Sequence, residues 1–69
     1  MTTYGVIYEQ ADDGSWSASA ADLPVFAVGD TRQEAERAMR SAIAFYLDEL
    51  ARVGQPAPPT RSSVGNVTV

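Results

Sequence analysis

The sequence predicts an α+β domain of order β-β-β-α-β, an antiparallel sheet covered on one face by one long helix. Three observations carry that expectation. Short stretches before residue 30 alternate apolar and polar side chains, the period of a strand. One stretch after residue 31 repeats apolar residues at helical spacing. Turn and breaker residues separate these runs.

The elements follow in order. In "TYGVIYE", Tyr4, Val6 and Tyr8 alternate with Gly5, Ile7 and Glu9, and the aromatic and β-branched content suits a strand. "QADDGS" follows, where Asp13-Gly14 is the strongest hairpin signal in the chain. "SWSASAA" returns, with Trp16, Ala18 and Ala20 against Ser17 and Ser19. Asp22-Leu23-Pro24 ends it, because proline lacks the ladder N–H and restricts the residue before it. "VFAVG", Val25 to Gly29, reads as a third short strand.

"GDT" then opens the helix. Thr31 and Glu34 fit a capping box, Asp30 suits the positive end of the helix dipole, and Gly29 permits a sharp exit from the strand. Ala35, Ala38, Met39, Ala42, Ile43, Tyr46, Leu50 and Val53 form one apolar stripe. Gly54 and Pro56 mark the stop. A helix from Arg32 to Val53 would be roughly 33 Å long. Residues 1–54 thus make the core, 55–63 a proline-rich connector, and 64–69 ("VGNVTV") a short last strand of the same domain.

One helix covers one face of a sheet, yet both parities of the strands are apolar. Phe26 and Val28 oppose Val25 and Ala27, Ile7 opposes its neighbours, and Phe45 and Leu47 sit off the helical stripe. Such surplus marks an interface. A 69-residue chain buries only about 60% of its unfolded surface, so association also answers a stability problem. Disulfides and imidazole or thiolate metal sites do not, since the chain has no cysteine and no histidine.

Nine acidic against five basic residues leave a net charge of −4. That balance disfavours direct nucleic-acid binding and favours a basic partner. The N-terminus has neither a secretion signal nor a membrane-length apolar run, so a cytoplasmic protein is expected.

Catalytic chemistry finds little support. "GDT" has one glycine, no lysine and an aspartate that would repel phosphate, so a capped helix start explains it better than an anion cradle. Asp12, Asp13, Asp22, Asp30 and Glu34 could hold a divalent metal only if they converged, and turn or cap chemistry accounts for them individually. Ser15, Ser17 and Ser19 have no histidine or lysine to activate them. The expectation is a non-enzyme without cofactors or metal. Trp16 and Phe26 are the expected aromatic anchors of a protein interface, with Asp12, Asp13 and Asp22 as electrostatic contacts.

The order of motifs resembles the HicB-like antitoxin domain across nearly the whole chain. The matching pieces are Tyr4-x-Val6, the acidic-Gly hairpin, Trp16, "DLP" at Asp22–Pro24 and "GDT" at Gly29–Thr31. "EA" at Glu34-Ala35, "AI" at Ala42-Ile43, "YL" at Tyr46-Leu47 and the Gly54-x-Pro56 ending complete them. The resemblance implies a degenerate ribonuclease-H-like core without catalytic activity. It also implies a type II toxin–antitoxin role, a small basic HicA-like RNA-cleaving toxin as partner, and a homo-dimer or homo-tetramer.

Two features depart from the family. Val25-Phe26 stands where Gly-Cys often follows "DLP". After Val53 the sequence leaves no room for the C-terminal DNA-binding domain of many full antitoxins, so a stand-alone module is expected. An orphan, self-associating regulatory or structural protein is the alternative reading, and a metal-dependent nuclease a third.

Overall fold

A computed structural model describes residues 3–63 and 65–69. It contains strands β1 (Val6–Gln10), β2 (Trp16–Ala20) and β3 (Phe26–Gly29), followed by helix α1 (Arg32–Arg52). The three strands form one antiparallel sheet in the order β1-β2-β3. The α+β class and the β-β-β-α order match the sequence expectation.

Local chemistry builds each junction. The β1–β2 hairpin turns through Asp12, Asp13 and Gly14, with Ala11 N–H donating to Ser15 O at 2.8 Å and Gly14 N–H to Ala11 O at 2.9 Å. Gly14 has φ +92°, the left-handed conformation that closes a three-residue hairpin loop. Between β2 and β3, Val25 N–H donates to Leu23 O across Pro24 at 2.9 Å, a tight reversal that buries Leu23.

At the helix start, Thr31 Oγ1 accepts from Glu34 N–H at 3.1 Å. Glu34 Oε2 accepts from Asp30 N–H at 2.9 Å, one residue upstream of the usual reciprocal donor. At the other end, Gly54 N–H donates to Ala51 O and Gln55 N–H to Leu50 O, with Gly54 at φ +75°. That pair of bonds is a Schellman stop.

Gly29 corrects an expectation. It does not adopt a positive φ, so it is not needed for a sharp exit. Its role is close approach: a Cβ there would lie 2.6 Å from Ala35 N and 2.8 Å from Glu34 Cβ. The first helical turn sits directly against the end of β3.

The register fixes two faces. Val6, Tyr8, Trp16, Ala18, Ala20 and Ala27 lie toward the helix, and Ile7, Glu9, Ser17, Ser19, Phe26 and Val28 lie away from it. The core between sheet and helix is Ala18, Ala27, Ala35 and Met39. Three alanines bring the layers close together, and Met39 supplies the bulk. The helix lies over β3 and β2, leaving a groove of about 410 Å³ beside β1. Tyr4, Val6 and Tyr8 form one wall of this groove, and Met39, Arg40 and Ile43 the other.

The helix is also longer than the sheet. Its 21 residues span roughly 31 Å, whereas a five-residue strand spans about 17 Å. Past Ile43 the stripe residues Tyr46 and Leu50 are only half-buried, and Val53 at its end is exposed, as is Phe45 off the stripe. Val53 is the C-cap and not the last helical residue.

The expected last strand is the main correction to the fold. Val64 lies outside the described residues, and residues 65–69 form no strand. Val67 and Val69 are exposed at 89% and 118%. Gly65 and Asn66 are poor strand formers, and two valines beyond them are too few to hold a segment on a sheet. Two smaller shifts accompany this one. β1 begins at Val6, with Tyr4 and Gly5 as its lead-in, and β3 begins at Phe26, since Val25 belongs to the reversal.

Candidate functional site

The open face of the sheet gathers three exposed apolar side chains, Ile7, Phe26 and Val28. Two cross-strand rows form it, Ile7–Ser19–Phe26 and Glu9–Ser17–Val28. Strand spacing makes each row about 10 Å wide, and the rows lie about 7 Å apart. Phe26 is 65% exposed, Val28 62% and Ile7 43%. Phe26 and Val28 make the β3 margin apolar, Ile7 and Glu9 make the β1 margin mixed, and the Ser17 and Ser19 hydroxyls lie between them. The face thus offers apolar contact along β3 and at Ile7, with hydrogen-bonding groups along its middle and a carboxylate at one corner. A partner that buries it gains about 25 cal/mol for each Å² of apolar area removed from water.

The expected interface residues do not form one patch. Phe26 is on the open face, whereas Trp16 is half-buried on the helix side and packs against the core. Asp12 and Asp13 lie in the β1–β2 turn; Asp22 lies in the β2–β3 loop, at the opposite end of the strands. Ile7 and Val28 join Phe26 on the open face, although residue type alone does not mark them as contacts. The missing information is the register, which puts them beside Phe26.

Two of the aspartates have internal partners. Asp13 Oδ1 accepts from Ser15 Oγ at 2.7 Å and from Ser15 N–H at 2.9 Å. Those bonds, the hydroxyl's first, hold the Asp13 carboxyl below its ordinary value. Asp22 fastens the distant connector. Its Oδ1 accepts from Ser62 Oγ at 2.7 Å and Ser62 N–H at 3.1 Å, and its Oδ2 from Arg61 N–H at 3.2 Å. The chain leaves the sheet along the overhanging helix and returns to it here.

The Ser62 hydroxyl is the largest cause lowering the Asp22 carboxyl below its ordinary value. A folded value below the unfolded one means the tether contributes above the unfolded value and is lost as pH falls through the folded one. The Ser62 amide resonance is therefore expected to titrate at a pH below the ordinary aspartate range, and Asp22→Ala should abolish that titration. A Ser62 signal that ignores pH, or titrates as a free aspartate does, would refute the tether.

Among the described residues, no group of three carboxylates is placed to hold a metal ion, and no helix is long and apolar enough to cross a membrane. The fold defines a two-layer α+β protein whose open sheet face the described residues leave uncovered. No family model matches the chain, and no curated protein and no solved structure does either.

Proposed function

We propose that the chain is a HicB-like antitoxin module that binds and neutralises a small basic RNA-cleaving protein of the HicA-like kind. The observation that carries this reading is the uncovered Ile7–Phe26–Val28 face on an acidic chain of net charge −4. Apolar contact supplies affinity there, and the acidic field speeds the approach of a basic partner. The order of short motifs supplies the family. The β-β-β-α succession with an antiparallel sheet supports the ribonuclease-H-like framework that the resemblance implies.

Inhibition in this reading is steric. The module occupies the basic surface through which its partner would hold RNA. Phe26 is the anchor, because it is the one aromatic side chain on the open face and aromatic residues dominate interface energetics.

Co-expression with a HicA-like ribonuclease tests the reading. The wild-type chain should restore growth and co-purify with the nuclease. Phe26→Asp should weaken binding at least about tenfold while leaving the fold intact, because Phe26 is 65% exposed. If the wild-type chain neither binds nor rescues, the proposal fails.

A further inference from the structure

The net charge of −4 is not spread over the molecule. Helix α1 carries four arginines, Arg32, Arg37, Arg40 and Arg52, against the four carboxylates of Glu34, Glu36, Asp48 and Glu49, and is neutral as a unit. The chain before it has five carboxylates, on Glu9, Asp12, Asp13, Asp22 and Asp30, and no basic side chain. Arg61 in the connector makes up the balance. The excess negative charge therefore belongs to the sheet layer. It is also polarised along the strands. The register that pairs Trp16 with both Gln10 and Gly29 gathers Glu9, Asp12, Asp13 and Asp30 at the hairpin end, all of them exposed. Asp22 stands at the other end, bound to the backbone of Arg61. Among the described residues both ion pairs lie within the helix, Arg40 with Glu36 and Arg52 with Glu49. The guanidinium of Arg32, the arginine nearest the hairpin end in sequence, lies 4.2 Å from the centre of the Tyr8 ring, on the helix side.

We propose that the open face receives a cationic protein surface in one orientation, with lysines or arginines over the hairpin end and an apolar patch over Phe26. The inference rests on the reading of this face as the docking surface for a basic partner, and adds to it a polarity and the residues that set it. Glu9 lies on the face itself, diagonally about 12 Å from Phe26. Asp12 and Asp30 flank it at the ends of the neighbouring elements. Asp13 and Asp22 are engaged by Ser15 and Ser62, which leaves Glu9, Asp12 and Asp30 as the carboxylates that meet the partner.

Charge chooses the occupant. A second copy would set one carboxylate-bearing layer against another, with no basic side chain on either. Nucleic acid is repelled by the same field. A cationic protein surface is drawn in by it, and is turned as it approaches because the potential is stronger at one end. At physiological ionic strength the field of exposed charges decays over about 8 Å, less than the separation of Glu9 from Phe26, so the two ends act as distinct contacts. They control different steps. Exposed carboxylates set the rate of encounter and its salt dependence, whereas apolar side chains that lose water set the residence time.

Two variants of equal net charge test it against the HicA-like ribonuclease in stopped flow. Glu9→Gln, Asp12→Asn and Asp30→Asn together neutralise the sheet end; Glu36→Gln, Asp48→Asn and Glu49→Gln together neutralise as many charges on the helix. At low salt the sheet variant should slow association at least about fivefold and flatten its salt dependence, and the helix variant should change it less than about twofold. Phe26→Ala should raise the dissociation rate and leave association nearly unchanged. Equal slowing by the two triple variants overturns the proposal. If the ribonuclease does not bind the wild-type chain, the antitoxin reading fails, and a second measurement decides the docking polarity alone. It uses wild-type chain and a capped peptide of three lysines followed by tryptophan and two leucines, with a spin label at the lysine end. The peptide should shift the amide resonances of Glu9, Asp12, Asp30 and Phe26, and the label should broaden Glu9 and Asp12 more than Phe26. Shifts centred on the helix, no shifts at millimolar peptide, or the same shifts when glutamates replace the lysines would overturn the proposal. So would open-face shifts that follow the concentration of the chain itself, which would assign the face to a second copy.

Discussion

Replacing Met39 with alanine is expected to leave the protein largely unfolded at room temperature. Met39 is the largest side chain that is fully buried, and it is the only long one in a core otherwise made of Ala18, Ala27 and Ala35. Truncating a buried methionine costs about 2–5 kcal/mol, from lost transfer energy and the cavity left behind. A chain of this length has a total stability of roughly 3–10 kcal/mol. The alanines around the site have no flexible atoms with which to fill the void, so only a shift of the partly buried Tyr8, Trp16 or Ile43 would lower the cost. Urea titration followed by circular dichroism checks it. Met39→Leu, which conserves volume, should cost less than about 1.5 kcal/mol. Equal losses in the two variants would show that Met39 is not the keystone of the core.

Gly29→Ala is expected to cost nearly as much, about 3 kcal/mol, by the opposite mechanism of overpacking. The added methyl group would meet Ala35 N at 2.6 Å, Glu34 Cβ at 2.8 Å and Glu34 C at 2.9 Å. Two of these three atoms are backbone, held by the Thr31 and Glu34 caps, and cannot rotate aside. The helix must lift from β3, loosening the Ala27–Ala35 contact zone beneath it. A fall in the urea midpoint without a change in slope would mark lost stability in an unchanged fold. A neutral Gly29→Ala would show that the helix start is free to move.

What the sequence disclosed follows the range of the interactions. Thr31, Glu34 and Gly54 act within a few residues of themselves, so the helix start and stop are readable one-dimensionally. The Asp13-Gly14 hairpin is equally local, and strand alternation separates Phe26 and Val28 from Ala27. The limits come from pairing over distance. Asp22 fastens Ser62 across 40 residues, and no local pattern announces that bond. Trp16 and Phe26 are both interface-like by residue type, yet strand parity sends them to opposite faces. Gly29 looked like a turn glycine because the helix lying against it is invisible in a linear reading. At the C-terminus composition suggests a strand, yet residues 65–69 form none, since Gly65 and Asn66 are poor strand formers and two exposed valines bury too little to hold the segment on the sheet.

The mismatch between a 21-residue helix and strands of four or five residues has a thermodynamic consequence. Its first half is welded to the sheet by the fully buried Ala35 and Met39, while its second half holds only half-buried side chains, Tyr46, Leu47 and Leu50 among them. Local opening should therefore begin at the Gly54 end and creep inward, each turn yielding before the one behind it. The rod is a cantilever: rigid where it is bedded, and free to fray where it projects.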